Sequence, residues 1–298
     1  MTTVAVVGAT GALGGRIVEA LIARGADVCA IVRPGTASEK LARLERPGVE
    51  IAHVDFRSAI DLMKAITGAS CVVSALQGLR EVLVDSQSLV LDAAIAAGVK
   101  RFIPSDFASD FAKVAPGDNR NFDLRREFHE RLDAAPIAAT SILNGAFAEI
   151  LNYGTPLLDF KAKRVGYWED ADFRVDFTAM SDTASFTAAA ALDASAPEVL
   201  RIAGFQISPR ELSAVASEIT GTDFALVRLG SLAELIAHNK RERASHPEGE
   251  AEVFPAWQRS QYLASMFTAQ LSPLDNPRYP DVTWTGVRPI IEAGLSRR

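Results

Sequence analysis

Cysteine is scarce in this chain of 298 residues, which has two, Cys29 and Cys71. Both fall inside runs of small and β-branched apolar residues, where a thiol packs as a small hydrophobe. That excludes a disulfide framework, and no metal site is expected. Long apolar runs are also missing. No window approaches the roughly 18 consecutive apolar residues of a membrane-spanning helix, so no membrane association is expected. Basic excess is absent: 31 Lys and Arg stand against 37 Asp and Glu, for a net charge of −6. A nucleic-acid partner needs Lys and Arg clustered on one face, so that class fits poorly. The first strand-like run begins at Val4 and leaves no room for a charged n-region, an apolar h-region and a cleavage site, which points to the cytoplasm. There is no internal repeat and no low-complexity tail.

What is present is apolar patterning, with 48% hydrophobic residues, enough for one large core or two moderate ones. Strand-like runs at Val4 to Val7, Val28 to Val32, Val49 to Val54, Cys71 to Ala75, Arg101 to Pro104 and Thr140 to Leu143 alternate with helical patterns. Those helical patterns are Glu39 to Leu44, Ser58 to Ile66, and Val84 to Ala97, the last stopped by Gly98. This is the βαβ rhythm of a parallel sheet. After about residue 148 the rhythm breaks into an aromatic stretch, an alanine-rich helix (Thr183 to Leu192), a strand (Leu200 to Ala203) and a helix opened by the capping box of Ser208 and Glu211. The expected division is 1–148 for a nucleotide-binding domain and 149–298 for a smaller α+β substrate domain, with segments near 178–204 returning to the first sheet. The mixed-charge segment Lys240 to Glu250 reads as a solvated loop or lid.

The most specific motif is Gly8-Ala9-Thr10-Gly11-Ala12-Leu13-Gly14, directly after the buried run Val4 to Val7 and before an amphipathic helix. Glycine at Gly8 allows a sharp turn, at Gly11 lets backbone approach a pyrophosphate, and at Gly14 lets the helix pack close to the sheet. The pyrophosphate would sit at the positive helix N-terminus near Gly11. The class is therefore α/β, a Rossmann-type doubly wound parallel sheet that binds a nicotinamide dinucleotide. The second strand ends in Arg33, where a chain reading the NAD ribose would offer an acid. Arg33, supported by Lys40, suits a 2′-phosphate, so NADP(H) is expected in preference to NAD(H). Asp55 and Phe56 follow strand 3, either as adenine contacts or as a simple turn. Ser74, Ala75, Leu76 and Gln77 end strand 4 and leave passage for ribose and nicotinamide.

Hydride transfer needs from the protein only orientation, a proton source and exclusion of water. A tyrosine four residues before a lysine, the usual pair of short-chain dehydrogenases, is absent: Tyr153, Tyr167, Tyr262 and Tyr279 are followed at that spacing by Leu157, Ala171, Met266 and Thr283. The glycine motif, the run Gly98 to Phe107 ending in Pro104-Ser105-Asp106-Phe107, and Asn144-Gly145-Ala146-Phe147 together resemble the NmrA-like, isoflavone-reductase-like branch of atypical short-chain dehydrogenases. The resemblance spans most of the chain. It implies an NADPH-dependent reductase of a small aromatic or conjugated carbonyl or ether substrate. It also implies cofactor contacts at Ser105, Asp106, Phe107, Asn144 and Phe147, unless Ser105 and Asp106 merely cap a helix.

The family places a catalytic lysine three residues after a phenylalanine. Counting back from Thr140 puts that phenylalanine on Phe122 and the lysine's place on Arg125. Arginine stays protonated and shuttles protons poorly, so Arg125 is expected to organise the site electrostatically. His129, one turn further along the same helix, is then either the proton donor or a surface histidine. Tyr153, Trp168, Phe173, Trp257, Tyr262 and Phe267 either line an aromatic pocket or fill the core. The alternative implied by the same family is a non-catalytic NADP(H)-binding redox sensor acting through a protein partner.

Overall fold

The computed structural model describes residues 2–296. Over these residues it divides into two units, the first comprising 2–107, 124–142 and 183–200, and the second 108–123, 143–182 and 201–296.

The first unit is built on strands β1 (Thr3–Val7), β2 (Asp27–Val32), β3 (Val49–His53), β4 (Cys71–Ser74), β5 (Arg101–Ile103) and β6 (Ala138–Ala139). They form one sheet in the order β3-β2-β1-β4-β5-β6, and every pairing is parallel. The order reverses on either side of β1, as in a doubly wound sheet. Helices α1 (Ala12–Ala23), α2 (Ser38–Leu41), α3 (Ala59–Ile66), α4 (Gln87–Ala96) and α5 (Arg120–Leu132) connect the strands. α3 is capped by Ser58, whose Oγ accepts from the Asp61 amide. A π-helical stretch, Glu81–Ser86, precedes α4 and takes up residues whose apolar spacing predicts a plain α-helix. Parallel strands are buried on both faces, which is why their sequences read as continuous apolar runs. Val4, Val6, Ile31, Val72 and Phe102 are all buried.

The expected strand Thr140 to Leu143 is split at Thr140. Ala138 and Ala139 pair with β5, whereas β7 (Ser141–Leu143) pairs with a later strand. The cause is at Arg101, whose buried guanidinium donates to Thr140 Oγ1 at 2.6 Å and to the carbonyls of Ala196 and Ala194 at 2.8 and 3.0 Å. These contacts tie β5 to the turn that follows the alanine-rich helix.

The remaining elements are β8 (Ala146–Phe147), β9 (Arg164–Trp168), β10 (Val175–Thr178), α6 (Met180–Leu192), β11 (Val199–Arg201), β12 (Phe205–Ile207), α7 (Pro209–Thr220), β13 (Ala225–Gly230), α8 (Leu232–Ser245), α9 (Ala256–Met266) and α10 (Val287–Leu295). β7 pairs with β11. In the second unit β12, β10 and β8 make a small mixed sheet, and β9 pairs in parallel with β13. α7 begins with the capping box of Ser208 and Glu211, and α8 with a second one, Ser231 and Glu234. Among the described residues no helix is long and apolar enough to cross a membrane.

The mixed-charge segment expected as a loop is instead largely helical, since Lys240 to Ser245 completes α8 and Pro247–Ala251 is a 3-10 turn. Its charges find partners within the second unit, Lys240 with Asp118 at 2.7 Å and Arg243 with Glu250 at 2.5 Å. Arg120 donates to the carbonyls of Glu252 and Val253 and lies 4.8 Å from the Trp257 ring centroid. Trp168 and Phe173 pack on Phe267 in the second unit's core, so these aromatics fill interior volume. Tyr153, by contrast, is 71% exposed.

Replacing Arg101 with leucine would leave two buried acceptors, Thr140 Oγ1 and the Ala196 carbonyl, without this donor. A loss of about 3 kcal/mol in unfolding free energy is expected, read as a lower urea midpoint with an unchanged m-value.

Candidate functional site

At the carboxyl end of β1 the chain turns at Gly8 with φ +82°, a left-handed conformation that favours glycine. The Gly11 amide donates to the Gly8 carbonyl at 2.9 Å, and α1 starts at once after it. A Cβ on Gly14 would lie 2.2 Å from the Gly8 carbonyl oxygen, and one on Gly8 would lie 2.6 Å from that of Ala75. The first turn of α1 has neither a side-chain cap nor an acidic residue, so no side chain of its own offsets the positive end of the helix dipole.

A cleft of about 800 Å³ opens beside this turn. Gly8, Thr10 and Gly11 line it, with Arg33 and Lys40 from beyond β2, Asp55 and Phe56 from beyond β3, and Ala75, Leu76 and Gln77 from beyond β4. Ala12, Leu13 and Gly14 form the first turn of α1 and are outside the cleft lining. Ser74 is fully buried one residue short of the cleft, and its Oγ has no hydrogen-bond partner.

Arg57 lines the same cleft and was not singled out from the sequence. Its guanidinium grips the Asp55 carboxylate, Nη2 to Oδ2 at 2.8 Å and Nε to Oδ1 at 3.1 Å. These hydrogen bonds hold the Asp55 carboxyl below the usual carboxylate range. The only signal available was a basic residue two places past an aspartate at a strand end, which many turns share. With Asp55 and Arg57 neutralising each other, Arg33 and Lys40 set the sign of this rim.

A second constellation lies at the carboxyl end of β5. Ser105 donates from Oγ to the Leu76 carbonyl at 2.6 Å and from its amide to Gln87 Oε1 at 3.0 Å, tying the ends of β4 and β5 together. Arg125, buried on α5, donates from Nε to the Ser105 carbonyl at 3.2 Å. Asp106 is fully buried, and its Oδ2 accepts from Ser141 Oγ at 2.7 Å and pairs with His129 Nε2 at 2.7 Å. The other imidazole nitrogen, Nδ1, lies 3.2 Å from Asp133 Oδ1. Burial pushes the His129 pKa down, but hydrogen bonds to Asp106 and Asp133 and their charge outweigh it, and the net displacement is upward. Ser105, Asp106, Phe107, Arg125 and His129 are outside the lining of the cleft. The next helical turn, Phe111–Lys113, is capped by Asp110, so the capping role considered for Ser105 and Asp106 belongs to a later residue.

Asn144 and Phe147 lie in the second unit. Asn144 is fully buried. Its amide donates to the Ala108 carbonyl and its carbonyl accepts from Thr178 Oγ1, while both polar atoms of its carboxamide are without a hydrogen-bond partner. An orphaned buried amide of this kind marks a place for a ligand or an ordered water. Phe147, half-buried, ends β8.

The NmrA-like family model matches residues 1–235. The chain belongs to the NmrA-like family. Pinoresinol reductase 1 of Arabidopsis thaliana is 33% identical over 204 residues, and the match covers 63% of each chain. The bifunctional pinoresinol-lariciresinol reductase of Linum perenne is 30% identical over 247 residues, covering 76% of this chain and 78% of that one. Among solved structures, AtPrR2 with NADP+ and (+)pinoresinol is 25% identical with a TM-score of 0.79 over 98% of both chains. The leucoanthocyanidin reductase–NADPH complex of Vitis vinifera, at 17% identity and a TM-score of 0.80 over 99% of both chains, shares the fold.

The glycine turn makes a graded prediction. Gly14→Ala drives a methyl into the Gly8 carbonyl and is expected to lose about 1–3 kcal/mol of stability. Gly11→Ala, with its nearest contact at 3.2 Å, should lose distinctly less. Urea unfolding of the two variants side by side checks the order.

Proposed function

We propose that this protein is an NADPH-dependent reductase of a small aromatic ether or conjugated carbonyl compound. The observation that carries the reading is the cleft beside the uncapped start of α1, with Arg33 and Lys40 on its rim, in a chain that aligns over 98% of its length with AtPrR2 holding NADP+ and (+)pinoresinol.

The residues fit the dinucleotide. Gly8 and Gly11 leave backbone exposed to the cleft where a diphosphate can take the amides of residues 10 to 14, Thr10, Gly11, Ala12, Leu13 and Gly14. Arg33 and Lys40 are exposed cations suited to the 2′-phosphate that distinguishes NADP(H) from NAD(H). Phe56 is half-buried at the rim with one face for an adenine ring, and Ala75, Leu76 and Gln77 leave room beyond β4. Within the second unit, the orphaned carboxamide of Asn144, with Phe147 three residues on, is a candidate ligand contact in its own right. When bound, the reduced nicotinamide supplies a hydride.

The chain's own residues must then manage charge and the proton. Arg125 offers a guanidinium as a fixed positive field to an oxygen that gains negative charge as a benzylic C–O bond breaks or a carbonyl is reduced. His129, whose carboxylate neighbours favour its protonated form, is the titratable group one helical turn away and the candidate source of the proton. Of the two activities considered from the sequence, the reductase is the one that the relatives' names support; the sensor would bind NADP(H) without oxidising it.

Two variants test this reading. Arg33→Ala should weaken NADPH binding by about tenfold or more while leaving NADH binding nearly unchanged, as measured by fluorescence titration. Equal losses for both would remove the 2′-phosphate role. Arg125→Lys restores a side chain that can exchange a proton, and should raise NADPH oxidation against a panel of benzylic ethers, quinones and enones. No change across the panel would mean that position 125 is not the family's lysine site.

A further inference from the structure

We infer that Asp106 is a positioning residue of the site proposed above: its buried carboxylate fixes the His129 imidazolium and, through it, the turn of α5 that carries Arg125. The inference rests on the reductase reading for its catalytic consequence, but the positioning itself is a property of the first unit.

Two neighbouring residues at the end of β5 hold two residues one turn apart on α5. Ser105 takes Arg125 through its carbonyl, and Asp106 takes His129 through Oδ2. Positions four apart share a helix face, so the two attachments fix both the rotation of that turn and its distance from the strand end. The first attachment joins a charged donor to a neutral carbonyl, whereas the second joins opposite charges, an imidazolium and a carboxylate. Asp106 is fully buried, its Oδ1 has no hydrogen-bond partner, and Ser141 supplies only a neutral hydroxyl to Oδ2. A buried carboxylate left without a counter-charge is strongly destabilising. Here the facing cation is His129.

The imidazole is paired with Asp106 from the β5 end and Asp133 from its own helix, and Arg125 stands one turn earlier on that helix. Asp106 is buried, while the Asp133 side chain is 74% exposed, so screening weakens the second pair much more than the first. The upward displacement of the His129 pKa has the matching sign. A group whose folded pKa is raised contributes its stabilisation fully below the unfolded value and loses it as pH rises through the folded value. The latch is therefore charged below the raised His129 pKa and weakens as pH rises through it, leaving Asp106 with a neutral partner and the α5 turn without its charged attachment to the β5 end.

The test follows the side-chain nitrogens of His129 and Arg125 by NMR through a pH titration, with kcat and KM for NADPH oxidation by (+)-pinoresinol measured in parallel. The His129 midpoint should lie above the ordinary imidazole value of about 6.5, and the Arg125 Nε–H signal should shift with the same midpoint. The kcat should fall by about 10²-fold through it, with KM for NADPH nearly constant. Asp106→Asn should move the His129 and Arg125 midpoints down together. Asp133→Asn, which alters only an exposed carboxylate, should move them less and serves if the first variant does not fold. An Arg125 signal that ignores the His129 titration would overturn the inference, as would a His129 midpoint no higher than the ordinary value or unmoved by Asp106→Asn. If pinoresinol is not reduced while the Arg125 and His129 signals still titrate together, the positioning stands and the proposed substrate falls.

Discussion

At the end of β1, backbone meets backbone more closely than any side chain permits. Gly14 sits against the Gly8 carbonyl, and Gly8 against that of Ala75, at separations where a single methyl group would overlap an oxygen. That steric constraint fixes α1 flat on the strand it follows and leaves the first turn of the helix uncapped at the edge of the sheet. It also sets the end of β4 beside the turn. Because all six strands run the same way, their carboxyl ends collect at one edge. Residues that follow separate strands, Gly8, Arg33, Asp55, Ala75 and Ser105, are thereby gathered there without being near one another in sequence.

Two kinds of charge stand along that edge. Arg33 and Lys40 are exposed and have solvent around them, so they remain available to an anion that arrives. Asp106 and Arg125 are buried, and burial forces each to find compensation within the chain, in His129 and in the Ser105 carbonyl. The first group can recognise a ligand, while the second holds a helix in place. The same logic explains the second unit's charged segment, where Arg120 is committed to backbone carbonyls and the Trp257 face and acts as a strap.

The glycine spacing and the alternation of apolar runs made the sheet and its nucleotide turn legible, since strand burial and tight turns leave direct marks on residue type. Arg33 and Phe56 could be picked out because each stands just past a strand end, and with Lys40 they line the cleft. Arg57 was not, because its importance comes from a bidentate hold on Asp55 that no offset encodes. The role of Asp106 was only half visible. Its place at the end of β5 could be read, but its partner lies on a helix that follows, and pairing with His129 depends on how that helix docks. The split of the strand at Thr140 was hidden too, since it results from Arg101 reaching a loop more than ninety residues away in the chain.

The sequence by itself determined the class of fold, the position of the glycine turn and the sign of charge at the cleft rim, because these depend on local periodicity and on conformations that only glycine adopts freely. Tertiary structure alone decided which polar groups are spoken for and which are left open: Asp55 and Asp106 with partners in the chain, the Asn144 carboxamide without one. Hydrogen bonds and burial depend on what packs against a residue, and that is set by contacts between segments far apart in sequence.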